Sequence, residues 1–326
     1  MRQAILMLTL CLPAAAGARM ISGEPLTHTF SIVACDPNSG QMGVAVQSHW
    51  FSVGSIVAWA EAGVGAVATQ SLVNVSFGPR GLDLLRAGRS PQEALNELTE
   101  SDEGRDFRQL ALIDPNGSVA AFTGSKCIAD AGHIVGKNYS VQANMMLNQD
   151  IVPAMAKAFE ASSGPLAERM LAALEAAQAA GGDIRGQQSA AIVIVRTRST
   201  GKPWEDRLID LRVEDHPNAV AELARVLKVF RAYEHMNQGD LAIEKGDVTR
   251  ALREYGAAER MFPTNTEMRF WHAVALANVG RLDLALPIFK TVFAADANYI
   301  ELTRRIVPNG LLKADGATLE KILRTE

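Results

Sequence analysis

The chain changes character at Asp215-His216-Pro217-Asn218: before this point short β-branched runs alternate with helical stretches, and after it the pattern is nearly all helical. A strand buries every second residue and a helix buries a stripe of period 3.6, so the two halves need different partners for their apolar faces. Two domains are therefore expected, as a length of 326 residues also suggests. The boundaries are 29–217 for a mixed α+β domain and 218–326 for a small helical one.

In the first domain, Thr29 to Ala34, Met42 to Gln47 and Ala66 to Gln70 read as strands bounded by turn residues. Asp36-Pro37-Asn38-Ser39-Gly40 joins the first two as a hairpin, and Gly63-Val64-Gly65 reads as a tight turn. Helices are predicted at Pro79 to Ala87 and Pro91 to Glu100, each with a proline near its start. Strands Phe107 to Ile113 and Val119 to Thr123 flank Asp114-Pro115-Asn116-Gly117, a strong hairpin signal. A further strand, Tyr139 to Met146, precedes helices at Gln149 to Ser162 and Pro165 to Ala180; strands Ser189 to Arg196 and Arg207 to Val213 close the domain. Strands at both ends with paired helices between them imply stacked layers with helices outside, an α+β sandwich.

The helical domain carries an internal repeat. Gly246, Ala251 and Tyr255 recur as Gly280, Ala285 and Phe289, a period of ~34 residues. Small residues at a close helix crossing beside an aromatic filler are the spacing of the tetratricopeptide motif, so two such repeats are expected over about 232–299. Two are fewer than such arrays need, and Asn218 to Tyr233 and Ala317 to Leu323 are the expected caps. Such modules bind protein partners more often than they catalyse.

Residues 1–18 have the form of a signal peptide, with Arg2, an apolar run from Ala4 to Leu12, and the small-x-small site Ala16-Gly17-Ala18. A periplasmic or secreted location is expected, with 19–28 left as an N-terminal extension. The net charge of −4 argues against nucleic acid and anionic membrane as partners. No later segment has the ~20 uninterrupted apolar residues of a membrane helix, so no membrane is expected in the mature form. Cys11 lies in the leader; Cys35 and Cys127 are left, to pair or to remain buried thiols.

The six histidines form no metal signature, and Cys-x-x-Cys, a Gly-x-Ser-x-Gly elbow and a phosphate-binding glycine loop are all missing. Neither a metal nor a cofactor is expected. Polar groups instead collect at strand ends: Ser48, His49, Gln70, Ser71, Gln142, Asn144, Gln188 and Ser189. Thr29 opens a strand about ten residues after the leader. A threonine there is either one polar position on an ordinary first strand or a nucleophile whose base is its own freed α-amine.

The runs Thr29-Phe30-Ser31-Ile32-Val33-Ala34, Gly43-Val44-Ala45-Val46-Gln47-Ser48-His49 and Ala62 to Gln70 resemble the opening of the domain-of-unknown-function family 1028. Agreement continues through Gly78-Pro79-Arg80-Gly81, Phe122-Thr123-Gly124-Ser125, Ala131-Gly132-His133, Gln142 to Leu147, Gly181-Gly182-Asp183, Gln188-Ser189-Ala190-Ala191 and Asp210 to Pro217. The match spans about Thr29 to Ala224. That family resembles the N-terminal nucleophile (Ntn) hydrolases, which implies a four-layer α-β-β-α sandwich and cleavage of amide bonds through an N-terminal Thr, Ser or Cys.

Carried over, the resemblance points to Thr29 as nucleophile, with Ser31 as an alternative hydroxyl on the same strand face. Asn144 and Gln70 are candidates for oxyanion or substrate contact, and Ser48, His49 and His133 for the pocket wall. The sequence departs from the pattern in one respect: leader removal leaves Arg19 to His28 attached, so Thr29 has a free amine only if the His28-Thr29 bond is cut. Two functions are therefore expected as alternatives. One is an exported amidohydrolase acting on a peptide or small amide; the other is a non-catalytic scaffold binding a protein or cell-wall partner through the helical repeats. An apolar sandwich edge or the repeat face is able to make a homodimer in either case.

Overall fold

The computed structural model describes residues 26–325; the expected signal peptide lies outside them. The described chain divides into two compact units, up to Val220 and from Ala221 onward.

The first unit holds two antiparallel sheets. Strands β1 (Leu26–Thr27), β4 (Ala58–Glu61), β5 (Gly65–Leu72), β6 (Arg108–Ile113) and β7 (Val119–Thr123) form one, in the order β1-β5-β6-β7 with β4 also on β5. The other runs β11-β10-β3-β2-β9-β8, from β2 (Thr29–Asp36), β3 (Gln41–Ser48), β8 (Gly132–Gly136), β9 (Tyr139–Ala143), β10 (Ser189–Arg196) and β11 (Arg207–Val213).

Alternation sets the two faces of the second sheet. Val33, Cys35, Met42, Val44, Val46, Ala191 and Val193 meet Ala66, Ala68, Ala111 and Ile113 of the first sheet in one buried core. The outer face of the first sheet is covered by α1 (Phe77–Arg86) and α2 (Pro91–Glu100), whose Phe77, Leu82, Leu85, Leu95 and Leu98 pack on Val67, Leu110 and Leu112. Helix α2 starts where its sequence says it should: Pro91 takes the first position, and Ser90 and Glu93 make a reciprocal capping box. Helices α3 (Ile151–Ala161) and α4 (Leu166–Ala179) cover β9, β2 and β3 of the second sheet.

Three strands and one short helix of this unit escape the sequence reading, the two-residue strand β1 among them. Strands β4 and β8 alternate in burial along their length, but Ala-Trp-Ala-Glu and Gly-His-Ile-Val-Gly are too short and too mixed in residue type to show that alternation in the sequence. A four-residue helix, α5 (Pro203–Asp206), precedes β11. The strand expected over 139–146 ends at Ala143, because Met145 turns to a positive φ of 58° and Met146 bridges to Asp183. Cys35 and Cys127 are free thiols; burial pushes the Cys35 thiol up to about 11.

The second unit is helical. It takes up most of α6 (Ala219–Glu244), followed by α7 (Val248–Met261), α8 (Thr266–Asn278), α9 (Leu282–Ala295), α10 (Asn298–Ile306) and α11 (Gly316–Leu323). The 34-residue period is visible in the backbone. Asp247 N–H donates to Ala242 O and Arg281 N–H to Leu276 O, both 2.8 Å, closing two helices over Gly246 and Gly280 in the same way. Ala251 and Ala285 are fully buried, and Tyr255 and Phe289 fill equivalent places. Among the described residues no helix is long and apolar enough to cross a membrane.

Candidate functional site

Thr29 is the first residue of β2 and lies opposite Ser48, the last of β3. By alternation its side chain shares the inter-sheet face with Ser31 and Val33. That face is apolar in the middle of the strand and polar at its start, so the sequence places a polar cluster inside the sandwich at one end of β2.

The cluster is continuous. Ser31 Oγ donates to Gln70 Oε1 (2.6 Å) and accepts from Gln142 Nε2 (2.6 Å). Gln70 Nε2 donates to Gln109 Oε1 (2.7 Å) and to Thr29 O (3.2 Å). Asn144 Nδ2 also donates to Gln109 Oε1 (2.8 Å), and Gln109 Nε2 returns to Ala143 O (2.9 Å) and Thr123 Oγ1 (2.8 Å). Thr29, Ser31, Ser48, Gln70, Gln109, Gln142 and Asn144 are fully buried. Buried amides linked in this way fix one another's orientation, since each lost partner costs the desolvation of the other.

The chain enters the cluster through residues 27 and 28. Strand β1 pairs antiparallel with β5, Leu26 opposite Leu72 and Thr27 opposite Ser71. The Thr29 hydroxyl donates to Thr27 O (2.8 Å). The His28 ring is buried and its Nδ1 meets Asn144 Oδ1 at 2.8 Å; with Asn144 Nδ2 committed to Gln109, the network assigns the proton to Nδ1. Burial, reinforced by the Arg185 charge, outweighs that hydrogen bond and Asp183 and holds the ring below its ordinary pKa of 6.5. Its Nε2 and the Thr27 hydroxyl are buried without a partner. Each such atom costs about 1–3 kcal/mol, so this segment is held at some expense.

The carbonyl of His28 is better provided for. Its oxygen accepts from Ser48 Oγ at 2.6 Å and from Arg185 Nη2 at 3.0 Å. Arg185 is itself gripped by Asp183, Nε to Oδ1 at 3.0 Å and Nη2 to Oδ2 at 2.6 Å. The loop carrying this pair is pinned to the segment after β9 by Leu147 N–H to Gly182 O and Ile184 N–H to Met145 O. Two donors, one cationic, thus converge on the carbonyl oxygen next to a threonine hydroxyl. Such an arrangement stabilises negative charge on that oxygen.

Of the residues singled out from sequence, Ser31, Ser48, Gln70 and Asn144 all reach Thr29 or His28 directly or through one partner. Asn144 faces the His28 ring, leaving the carbonyl to Ser48 and Arg185. His133 is exposed on β8 and joins at the edge, its Nδ1 2.9 Å from Thr123 Oγ1. The His49 ring forms no bond to the cluster; its backbone N–H reaches Asp183 Oδ2 at 3.4 Å and its Nδ1 is buried without a partner. Sequence reasoning missed His28, Gln109, Asp183 and Arg185. Gln109 had a weak signal, a polar residue at the start of a strand just before the apolar run Leu110-Ala111-Leu112-Ile113. Arg185 lies in a loop and gave none.

An open cleft of about 470 Å³ elsewhere in the unit is lined by Trp59, Arg86, Arg207 and Arg212 and holds none of these groups. Among the described residues, no cluster of His, Cys, Asp and Glu is placed to hold a metal.

No curated protein matches the chain. Among solved structures it is similar to protein SPO2555 from Silicibacter pomeroyi, a DUF1028 protein, at 34% identity and a TM-score of 0.56, over 62% of this chain and 85% of that one. The family model described as "Family of unknown function (DUF1028)" matches residues 29–223, more than half of the sequence and all of the strands that build the polar cluster except β1. The chain belongs to the DUF1028 family.

Proposed function

We propose that this chain is the precursor of an exported, periplasmic or secreted, amidohydrolase of Ntn type, with Thr29 as nucleophile once the His28-Thr29 bond is cut. One observation carries the reading: the carbonyl of that same bond is held by Ser48 Oγ and Arg185 Nη2. The order of helices, sheet, sheet and helices in the first unit is also that of an Ntn sandwich.

In the cut, Thr29 Oγ adds to the His28 carbonyl carbon while Ser48 and Arg185 hold the oxygen. The C–N bond breaks, the hydroxyl proton ends on the departing nitrogen, and His28 is left as an ester on Thr29. Water hydrolyses the ester, giving a His28 carboxylate and a free Thr29. Its α-amine, with an ordinary pKa of about 7.7–8.0, is then the base for attack on an amide or peptide substrate. Asn144 contacts the substrate and orders the cluster. No cofactor enters these steps.

Intact mass of the exported protein checks the reading. An N-terminus at Thr29, its loss in Thr29→Ala, and an ester on Thr29 after treatment with a β-lactone are expected. An uncut His28-Thr29 bond together with no labelling overturns it.

The pairing of Leu26 and Thr27 into the sheet favours a second reading, because a chain that keeps it has no amine at Thr29. It is then a binding protein that recruits a protein or cell-wall partner through two tetratricopeptide-like repeats, about 232–299. Interactions that survive removal of residues 225–326 unchanged would rule this out.

A further inference from the structure

We propose that the substrate's acyl side is a peptide that binds as an extended strand in the place of Leu26–His28, paired antiparallel with Ser71 and Leu72 of β5, and is cleaved after a residue whose side chain donates to Asn144 Oδ1. This rests on the hydrolase reading above.

The argument is one of chemical identity. The ester formed during the cut, Leu26-Thr27-His28 on Thr29 Oγ, is the acyl-enzyme of a peptide ending in histidine. A later substrate attacked by the same oxygen, with its carbonyl held by the same Ser48 and Arg185, places its acyl residues where those three residues lie now. That place has defined chemistry.

β4 occupies the same edge of β5 only from Gly65 to Ala68, so departure of β1 leaves the edge at Ser71 and Leu72 open to main-chain pairing. The position of Leu72 is fixed from behind by buried Arg108, whose Nη1 donates to Leu72 O at 2.6 Å. The slot of the His28 ring ends on Asn144 Oδ1, an acceptor, because the amide nitrogen of Asn144 is committed to Gln109. A side chain carrying an N–H, such as histidine or glutamine, satisfies that acceptor; a carboxylate leaves it unpaired and adds repulsion.

Two measurements test this on the full chain. First, processing is followed in His28→Ala, His28→Gln and His28→Asp. Residue 28 leaves with the cut, so every variant yields the same mature protein. Cutting about ten-fold slower for His28→Ala and His28→Asp, with His28→Gln within about three-fold of the parent, is expected from the loss of one hydrogen bond. Equal rates in all four overturn the proposal.

Second, the naturally cut protein, with Thr29 shown to be N-terminal and labelled by a β-lactone, is given acetyl-Leu-Thr-His-aminomethylcoumarin. Cleavage at least ten-fold faster in kcat/KM than for the aspartate analogue, and than for a probe N-methylated at its Leu and Thr amides, is expected. A protein that labels but treats all three probes alike retains its nucleophile and refutes the strand-and-donor site. A protein that neither cuts nor labels refutes the hydrolase reading and this inference with it.

Discussion

At the scale of single residues, the polar cluster is held together by Gln109 more than by the threonine it surrounds. Its Oε1 accepts from both Gln70 and Asn144, and its Nε2 reaches Thr123, Gly132 and Ala143. Gln109→Leu keeps the volume and strands those partners, so a loss of about 3 kcal/mol is expected, read as a lower urea midpoint at unchanged slope. A variant as stable as the parent would show that the cluster is not cooperative. His28 gives a second residue-scale prediction. Its ring is neutral in the fold, with a pKa below 6.5, whereas the unfolded chain takes up a proton at about 6.5. The unfolded state therefore binds more protons on acidification, and the stability from His28 is complete above about pH 6.5 and is lost as the pH falls toward the folded value. The Thr29→Ala chain should lose stability as the pH falls below about 6.5, and adding His28→Gln should lessen that fall. Identical slopes would mean that the ring takes up its proton at the same pH in the folded and unfolded chain. Ser48, Gln70 and Asn144 were legible as strand-end polar residues and Thr29 as the hydroxyl opening a strand after the leader, while Ser31 came from the family resemblance. No sequence pattern pointed to His28 or Arg185, because their roles come from backbone pairing and a loop, neither of which leaves a periodic trace.

At the scale of elements, legibility followed burial. The long strands β2, β3, β5 and β10, buried on both faces, were readable as β-branched or alanine-rich runs between turn residues, and the helices α1 to α4 because a face committed to the core writes a 3.6-residue period. β4 and β8, half-exposed and four or five residues long, alternate in burial but not in residue type. The helical repeat was readable for a different reason: its small and aromatic positions recur. Gly246 and Gly280 sit at φ of 72° and 79° where an added Cβ would meet nothing within 4 Å. Alanine at either place therefore meets only the backbone penalty of the left-handed conformation, about 1–2 kcal/mol. The two substitutions should cost the same and add, to within about 0.5 kcal/mol, because they lie at separate turns. Thermal unfolding of the single and double variants measures this; a marked difference between them would show that the repeats are equivalent in sequence only.

For the whole molecule the decisive fact is that the His28-Thr29 bond, the one proposed to be cut, is inside it. Thr29 is fully buried and His28 is 2% exposed, with β1 continuing the sheet on the upstream side. A second protein cannot present a nucleophile to that carbonyl without opening the sandwich. Ser48, Arg185, Thr29 and the His28-Thr29 bond all belong to one unit of one chain, so the proposed cut needs no encounter. Cutting should then be first order, with a half-life independent of protein concentration over about a hundred-fold range, as expected when reacting groups are already positioned. The Thr29→Ala chain, mixed with an excess of active protein, should stay intact for as long as it stays folded. Intact mass against time, for the parent at several concentrations and for the mixture, distinguishes the cases. A rate that rises with concentration, or a Thr29→Ala chain cut in the mixture, would place the nucleophile on another molecule and require the β1 segment to leave its sheet before the bond is broken.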